Sequence, residues 1–175
     1  MAIWKIDPMH SEVEFKIRHL MISNVTGYFS TYDATVESNN DDFTDAKITF
    51  EADVNSISTK NEQRDEHLKA EDFFHAAQYP KVTFVSTGVT KEGSDEYKVT
   101  GDLTIRGITK PVELEVEYNG IQKDPYGQTK AGFEIKGKIN RKDFGLTYNA
   151  VTETGGIMLS DEVKLQAGVQ LVKQG

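Results

Sequence analysis

Apolar and polar residues alternate over most of the 175-residue chain, and a period of two is what a strand needs when one face is buried and the other is wet. Val13, Phe15, Ile17 and then His19 share one side, with Glu12, Glu14, Lys16 and Arg18 on the other. The same pattern returns in Ile48 to Val54, in Val82 and Phe84, in Tyr97 to Ile105, in Phe133 to Ile139 and in Val163 to Leu171. Val112, Leu114, Val116 and Tyr118 alternate with Glu113, Glu115 and Glu117, so the outer face of that strand is acidic and solvated. Parity changes near Ser30 and Thr31, which predicts a bulge there. The run 119–129, with Gly120, Pro125 and Gly127, is expected to be a flexible loop, and 147–159 reads as a second irregular stretch.

About eight antiparallel strands with short connections predict an all-β fold with one short helix, an extended eight-stranded antiparallel β-barrel in a single domain over 1–175. A barrel of that size either fills with its own side chains or holds one small ligand. Small residues in the inner rows, Ala34, Ala52, Gly101, Gly137 and Ala167, are expected to leave volume inside, although barrel corners also use glycine.

The period changes in one place, T-K-N-E-Q-R-D-E-H-L-K-A-E-D-F-F at Thr59 to Phe74. Thr59 followed three residues later by Glu62 has the form of a capping box, which predicts a helix starting there and running toward Asp72. Arg64, His67 and Leu68 fall on one face, and Asp65 and Lys69 are spaced to pair on another.

A formal net charge of −8 disfavours a role in gripping nucleic-acid phosphates, which needs a basic face. There are no cysteines, so disulfides and thiol nucleophiles are excluded. No run approaches eighteen apolar residues, and M-A-I-W-K-I-D-P holds no signal-peptide core, so the expected setting is the cytoplasm and no membrane span is expected. The chain carries no G-x-S-x-G elbow, phosphate loop or dinucleotide fingerprint, so no cofactor is expected and catalysis is the weaker reading. His67 and His75, eight apart with Glu71 and Asp72 between them, do not converge by helical spacing into a metal site. The first and last strands are read as an edge on which a homodimer could form.

Seven motifs, in order, carry a family resemblance: W-x-I-D-x-x-H-S-x-V-x-F at Trp4 to Phe15, G-x-F at Gly27 to Phe29, R-D-x-H-L at Arg64 to Leu68, D-F-F at Asp72 to Phe74, Y-P-K-V-T-F at Tyr79 to Phe84, G-D-L-T-I-x-G-x-T-K at Gly101 to Lys110 and R-x-D-F-G-L at Arg141 to Leu146. Together they resemble the YceI-like family over essentially the whole chain. The resemblance implies a lipocalin-like barrel whose lumen binds a long apolar molecule such as a polyisoprenoid or a fatty-chain amide. Relatives are often exported.

A ligand of that kind needs an apolar wall and a partner for its polar head. Phe15, Ile17, Phe50, Phe84, Leu103, Phe133 and Ile135 are the wall candidates. His19, Arg64, His67 and Arg141 are the head-group candidates, since arginine offers a fork to an oxyanion and histidine a donor near neutral pH. Plain core packing is the competing account of the wall, and structural tethering that of Arg64 and His19. The expected function is binding, sequestration or transport of a long isoprenoid or similar amphipathic lipid. An enzyme acting on a small apolar substrate with Arg64 and His67 is the alternative, and a scaffold binding another protein a third.

Overall fold

In the computed structural model, residues 2–20, 22–40, 42–148 and 159–175 are described. The strands are β1 (Ala2–Ile6), β2 (Glu12–His19), β3 (Ser23–Phe29), β4 (Tyr32–Ser38), β5 (Lys47–Asp53), β6 (Ile57–Ser58), β7 (Lys81–Lys91), β8 (Glu96–Ile105), β9 (Ile108–Lys123), β10 (Thr129–Asn140) and β11 (Leu159–Lys173). One α-helix, α1 (Glu62–Lys69), interrupts them.

Eight of these strands close a circuit, β1-β4-β5-β7-β8-β9-β10-β11 and back to β1, with every pairing antiparallel. The molecule is thus a closed eight-stranded antiparallel barrel. One edge of β11 takes two partners: Leu171 to Lys173 pair with β1, and Leu159 to Gly168 pair with β2. β1 and β2 are therefore successive halves of one bent strand, separated by a 3-10 turn at Pro8–His10 that Asp7 caps by accepting the Met9 N–H at 3.1 Å. β3 and β4 are halves of another, and the parity change at Ser30 and Thr31 is a bend between them. The first and last strands pair with each other, so the free edge expected there for a dimer is consumed inside the barrel.

Strands β9 and β10 run through most of the loop expected to be flexible. Only a turn at 124–128 remains, where Asp124 accepts the N–H groups of Tyr126 and Gln128 at 2.9 Å each. Gly107, at φ 74, turns β8 into β9.

The helix starts later and ends earlier than its sequence implies. Asn61 is the N-cap and accepts the Arg64 N–H at 3.1 Å. Lys60, at φ 63, turns the chain first, leaving Thr59 upstream of the first turn. Thr59 donates its N–H and hydroxyl to Asp65 at 2.7 and 2.6 Å, so Lys69 pairs with Glu66 in place of Asp65. Ala70 caps the C-terminal end in extended conformation, and the chain folds back with Phe74 N–H on the Leu68 carbonyl.

Two of the expected gaps are not gaps. A Cβ on Gly101 would lie 2.4 Å from the Phe84 ring, and one on Gly137 2.6 Å from a Leu114 methyl. Large neighbours lie across these glycines, which serve as seats for side chains on the adjoining strand and leave no void.

Candidate functional site: an apolar lumen with a polar mouth

The barrel encloses a cavity of ≈ 430 Å³, within the range of small-molecule sites. Its wall is built by the inner rows. Phe15 and Ile17 enter it from β2, Phe50 from β5 and Phe84 from β7. Leu103 comes from β8, and Phe133 and Ile135 from β10. Ala34, Ala52 and Ala167 also line it, so the alanines supply the space that the glycines do not.

All four residues picked for a polar head lie at the end of the barrel where β2, β10 and the helix meet, and all four line the cavity. They differ in how much of each is already committed. Arg64 donates Nε to the Thr59 hydroxyl at 2.7 Å and Nη2 to the Thr59 carbonyl at 2.8 Å, pinning the helix to the chain that leads into it. Arg141 is 2% exposed. It donates to the carbonyls of Ser160, Leu146 and Tyr148 at 2.9, 2.6 and 2.7 Å, while its Nη2 lies 3.9 Å from Asp161. Burial pulls its pKa down, partly offset by Asp161. This arginine is first a clamp on the connection between β10 and β11.

His67 pairs Nε2 with Asp72 at 2.7 Å, and that bond holds the Asp72 carboxyl below the usual carboxylate range. Its ring packs against Phe73 and Tyr148, with centroids 4.9 and 5.0 Å away. Phe73 and Tyr148 are themselves 4.9 Å apart, so three rings form a closed set at the mouth. His19 stands opposite Ser23 and Leu159 in the strand register and is half-buried. Phe74 reaches in beside the helix to pack on Phe15 and Phe29, each 6.4 Å away. Arg106 donates to the carbonyls of Gly145 and Glu71, tying the mouth segments together.

The opposite end carries a residue that the alternation did not mark. Phe43 lies in the turn between β4 and β5, is 4% exposed and lines the cavity. The only sign of it in the sequence is one large apolar residue inside the polar run D-D-F-T-D. Its ring stacks with Trp4 and Phe133 at 5.2 Å and with Tyr118 at 5.8 Å. Among the described residues no group of three or more His, Asp or Glu is placed to hold a metal ion, and no helix is long and apolar enough to cross a membrane.

Residues 4–171 match the family model of the YceI-like domain. The chain belongs to the YceI-like family. UPF0312 protein SAS2572 of Staphylococcus aureus (strain MSSA476) is 43% identical to it over 171 residues, covering 97% of each chain. The crystal structure of Burkholderia cenocepacia BcnA superposes with a TM-score of 0.82 at 24% identity, covering 94% of this chain and 98% of that one. A polyisoprenoid binding domain from Saccharophagus degradans superposes at 0.73 and 14% identity, covering 98% of both. At those identities the two structures speak for the fold alone. With the YceI-like barrel in place, the lumen and its mouth are where a ligand-binding role for this member has to be sought.

Proposed function

We propose that this YceI-like protein binds a long-chain isoprenoid or similar amphipathic lipid in its lumen and carries or shelters it from water. The observation that supports this most is the ≈ 430 Å³ cavity itself, walled by aromatic and aliphatic side chains along most of its length. Burial of each methylene is worth roughly 0.8 kcal/mol, so a chain of several isoprene units exceeds the ordering costs of association. The name of the Saccharophagus degradans neighbour, a polyisoprenoid binding domain, points the same way.

In this reading Phe15, Ile17, Phe50, Phe84, Leu103, Phe133 and Ile135 contact the chain. His19, Arg64, His67 and Arg141 face its polar end. Native mass spectrometry of the purified protein, followed by organic extraction, tests the reading: an extractable lipid, or uptake of an added polyisoprenoid alcohol at one molecule per chain, is expected. A protein that carries none and takes up none overturns it.

The paired His67 and Asp72 give a specific reason to consider an enzyme instead, since an imidazole held by a carboxylate is a common general base. His67→Ala separates the two readings. A carrier loses affinity at most, whereas an enzyme loses turnover of the extracted compound.

A further inference from the structure

The floor of the lumen is closed by a residue with unusual backbone. Phe43 has φ 60, a left-handed conformation that large side chains avoid. Its turn is built to hold it there. The Phe43 N–H donates to Asn40 and its carbonyl accepts from Ala46, both at 3.1 Å. The Asp45 carboxylate accepts from the Ser38 hydroxyl at 2.7 Å and the Asn39 N–H at 2.8 Å, and the Tyr97 hydroxyl donates to the Asp42 carbonyl from β8. Hydrogen bonds from both sides thus keep a strained turn in place, and its product is one phenyl ring aimed inward.

That ring is a partition. Phe43 lines the cavity, whereas Trp4 and Tyr118, on which it stacks, do not. Its neighbours on the cavity side at this level are Ile6, Val36, Phe133 and Leu171, all apolar and buried. His19, Thr59, Arg64, His67 and Arg141 gather at the other end. An amphipathic molecule lying in the lumen with its polar end among them directs its apolar tail at Phe43.

We propose that Phe43 is the end stop of the lumen and sets the longest chain that binds with its polar end at the mouth. This inference rests on the lipid-binding reading above and adds a selectivity to it. Removing the ring adds to the lumen the volume it fills beside Trp4 and Tyr118, so a longer tail fits; a bulkier ring shortens the site.

Calorimetric titration of straight-chain primary alcohols of increasing length against the intact protein, F43A, F43L and F43W tests it. With the native residue, affinity is expected to rise about fourfold per methylene and then stop rising at one length. F43A moves that stop to longer alcohols, F43L moves it less, and F43W moves it to shorter ones, while alcohols below every stop bind all four proteins alike. A stop at the same length in the native protein and in each variant that folds overturns the inference and leaves lipid binding standing. Failure of every alcohol to bind the native protein overturns both. If F43A does not fold by its thermal melt, opposite shifts in F43L and F43W support the proposal and identical stops reject it.

Discussion

The two ends of the barrel are each closed by packed rings, but the rings hang on different supports. At the floor, Trp4, Tyr118 and Phe133 stand on β1, β9 and β10, within strand ladders whose β9–β10 register shifts between Gly132 and Phe133, and only Phe43 comes from a turn. At the mouth, His67, Phe73 and Tyr148 come from a helix with no buried residue and from the segments after it and after β10. Centroid spacings are 5.2 to 5.8 Å at the floor for the Phe43 stacks and 4.9 to 5.0 Å at the mouth. Ring contact is therefore as close at the mouth as at the floor. Ladder hydrogen bonds open cooperatively with the sheet, whereas the mouth depends on individual side-chain bonds to carbonyls, chiefly those of Arg64, Arg106 and Arg141. On the lipid-binding reading proposed above, the end that carries the polar side chains is thus the end held by bonds that break one at a time.

The largest expected effect is at the floor. Trp4→Ala, at a residue 1% exposed, should cost about 3–5 kcal/mol in denaturant unfolding, as large aromatic deletions in cores do. A cost below about 1 kcal/mol would mean that the floor is no better supported than the mouth.

A smaller but more local loss is expected for Arg141→Met, which leaves three backbone carbonyls without their donor and should cost about 3 kcal/mol. Hydrogen exchange sharpens the contrast. Amides of 142–148 should exchange faster in that variant while those of β9 and β10 near Phe133 keep their protection; equal loss at both ends would break the comparison.

Acid gives the smallest effect and reaches both ends through different groups. Asp72 at the mouth is held below its ordinary range chiefly by the His67 bond, and Asp45 at the floor chiefly by the Ser38 hydroxyl. A carboxyl depressed in the folded state contributes stability above its unfolded value of about 4 and loses it as pH falls through the lower folded value. Acidification below that range should loosen both the helix end and the turn at 38–46, followed by amide exchange. Asp72→Asn should abolish the pH dependence at the mouth and leave that of the floor intact.

The barrel was legible because period two runs through each long strand with few interruptions, such as the register shifts between Ser86 and Gly88 and between Gly132 and Phe133, and a one-residue slip of a whole strand would have turned its inner row outward. The mouth was legible in part. His19, Arg64, His67 and Arg141 stood out as nitrogen-bearing residues within or beside apolar rows, and the structure brings them to one end. What each does with its hydrogen bonds was not legible, because the partners lie outside regular helix or strand spacing: Thr59 before the helix cap for Arg64, Asp72 past the helix end for His67 and backbone carbonyls for Arg141. The helix start was misplaced because a threonine followed by a glutamate satisfies the capping pattern, while the turn at Lys60 that moves the cap to Asn61 leaves no compositional mark. Glycines in the inner rows looked like space, since nothing in one strand tells which side chain of the next will lie over it. Phe43 escaped because its neighbours are polar and its inward direction depends on a left-handed backbone that the sequence does not announce.

β11 is also the last of the described strands to leave the ribosome, yet it pairs with β10 on one edge and with both β1 and β2 on the other. In the finished fold β10 meets β1 and β2 only through β11, so the circuit has no closure without that strand. Closure then joins residues more than a hundred positions apart, the kind of contact that slows folding. The lumen is therefore a property of the last long-range pairing the chain makes, and it is shielded from water only once that pairing is complete.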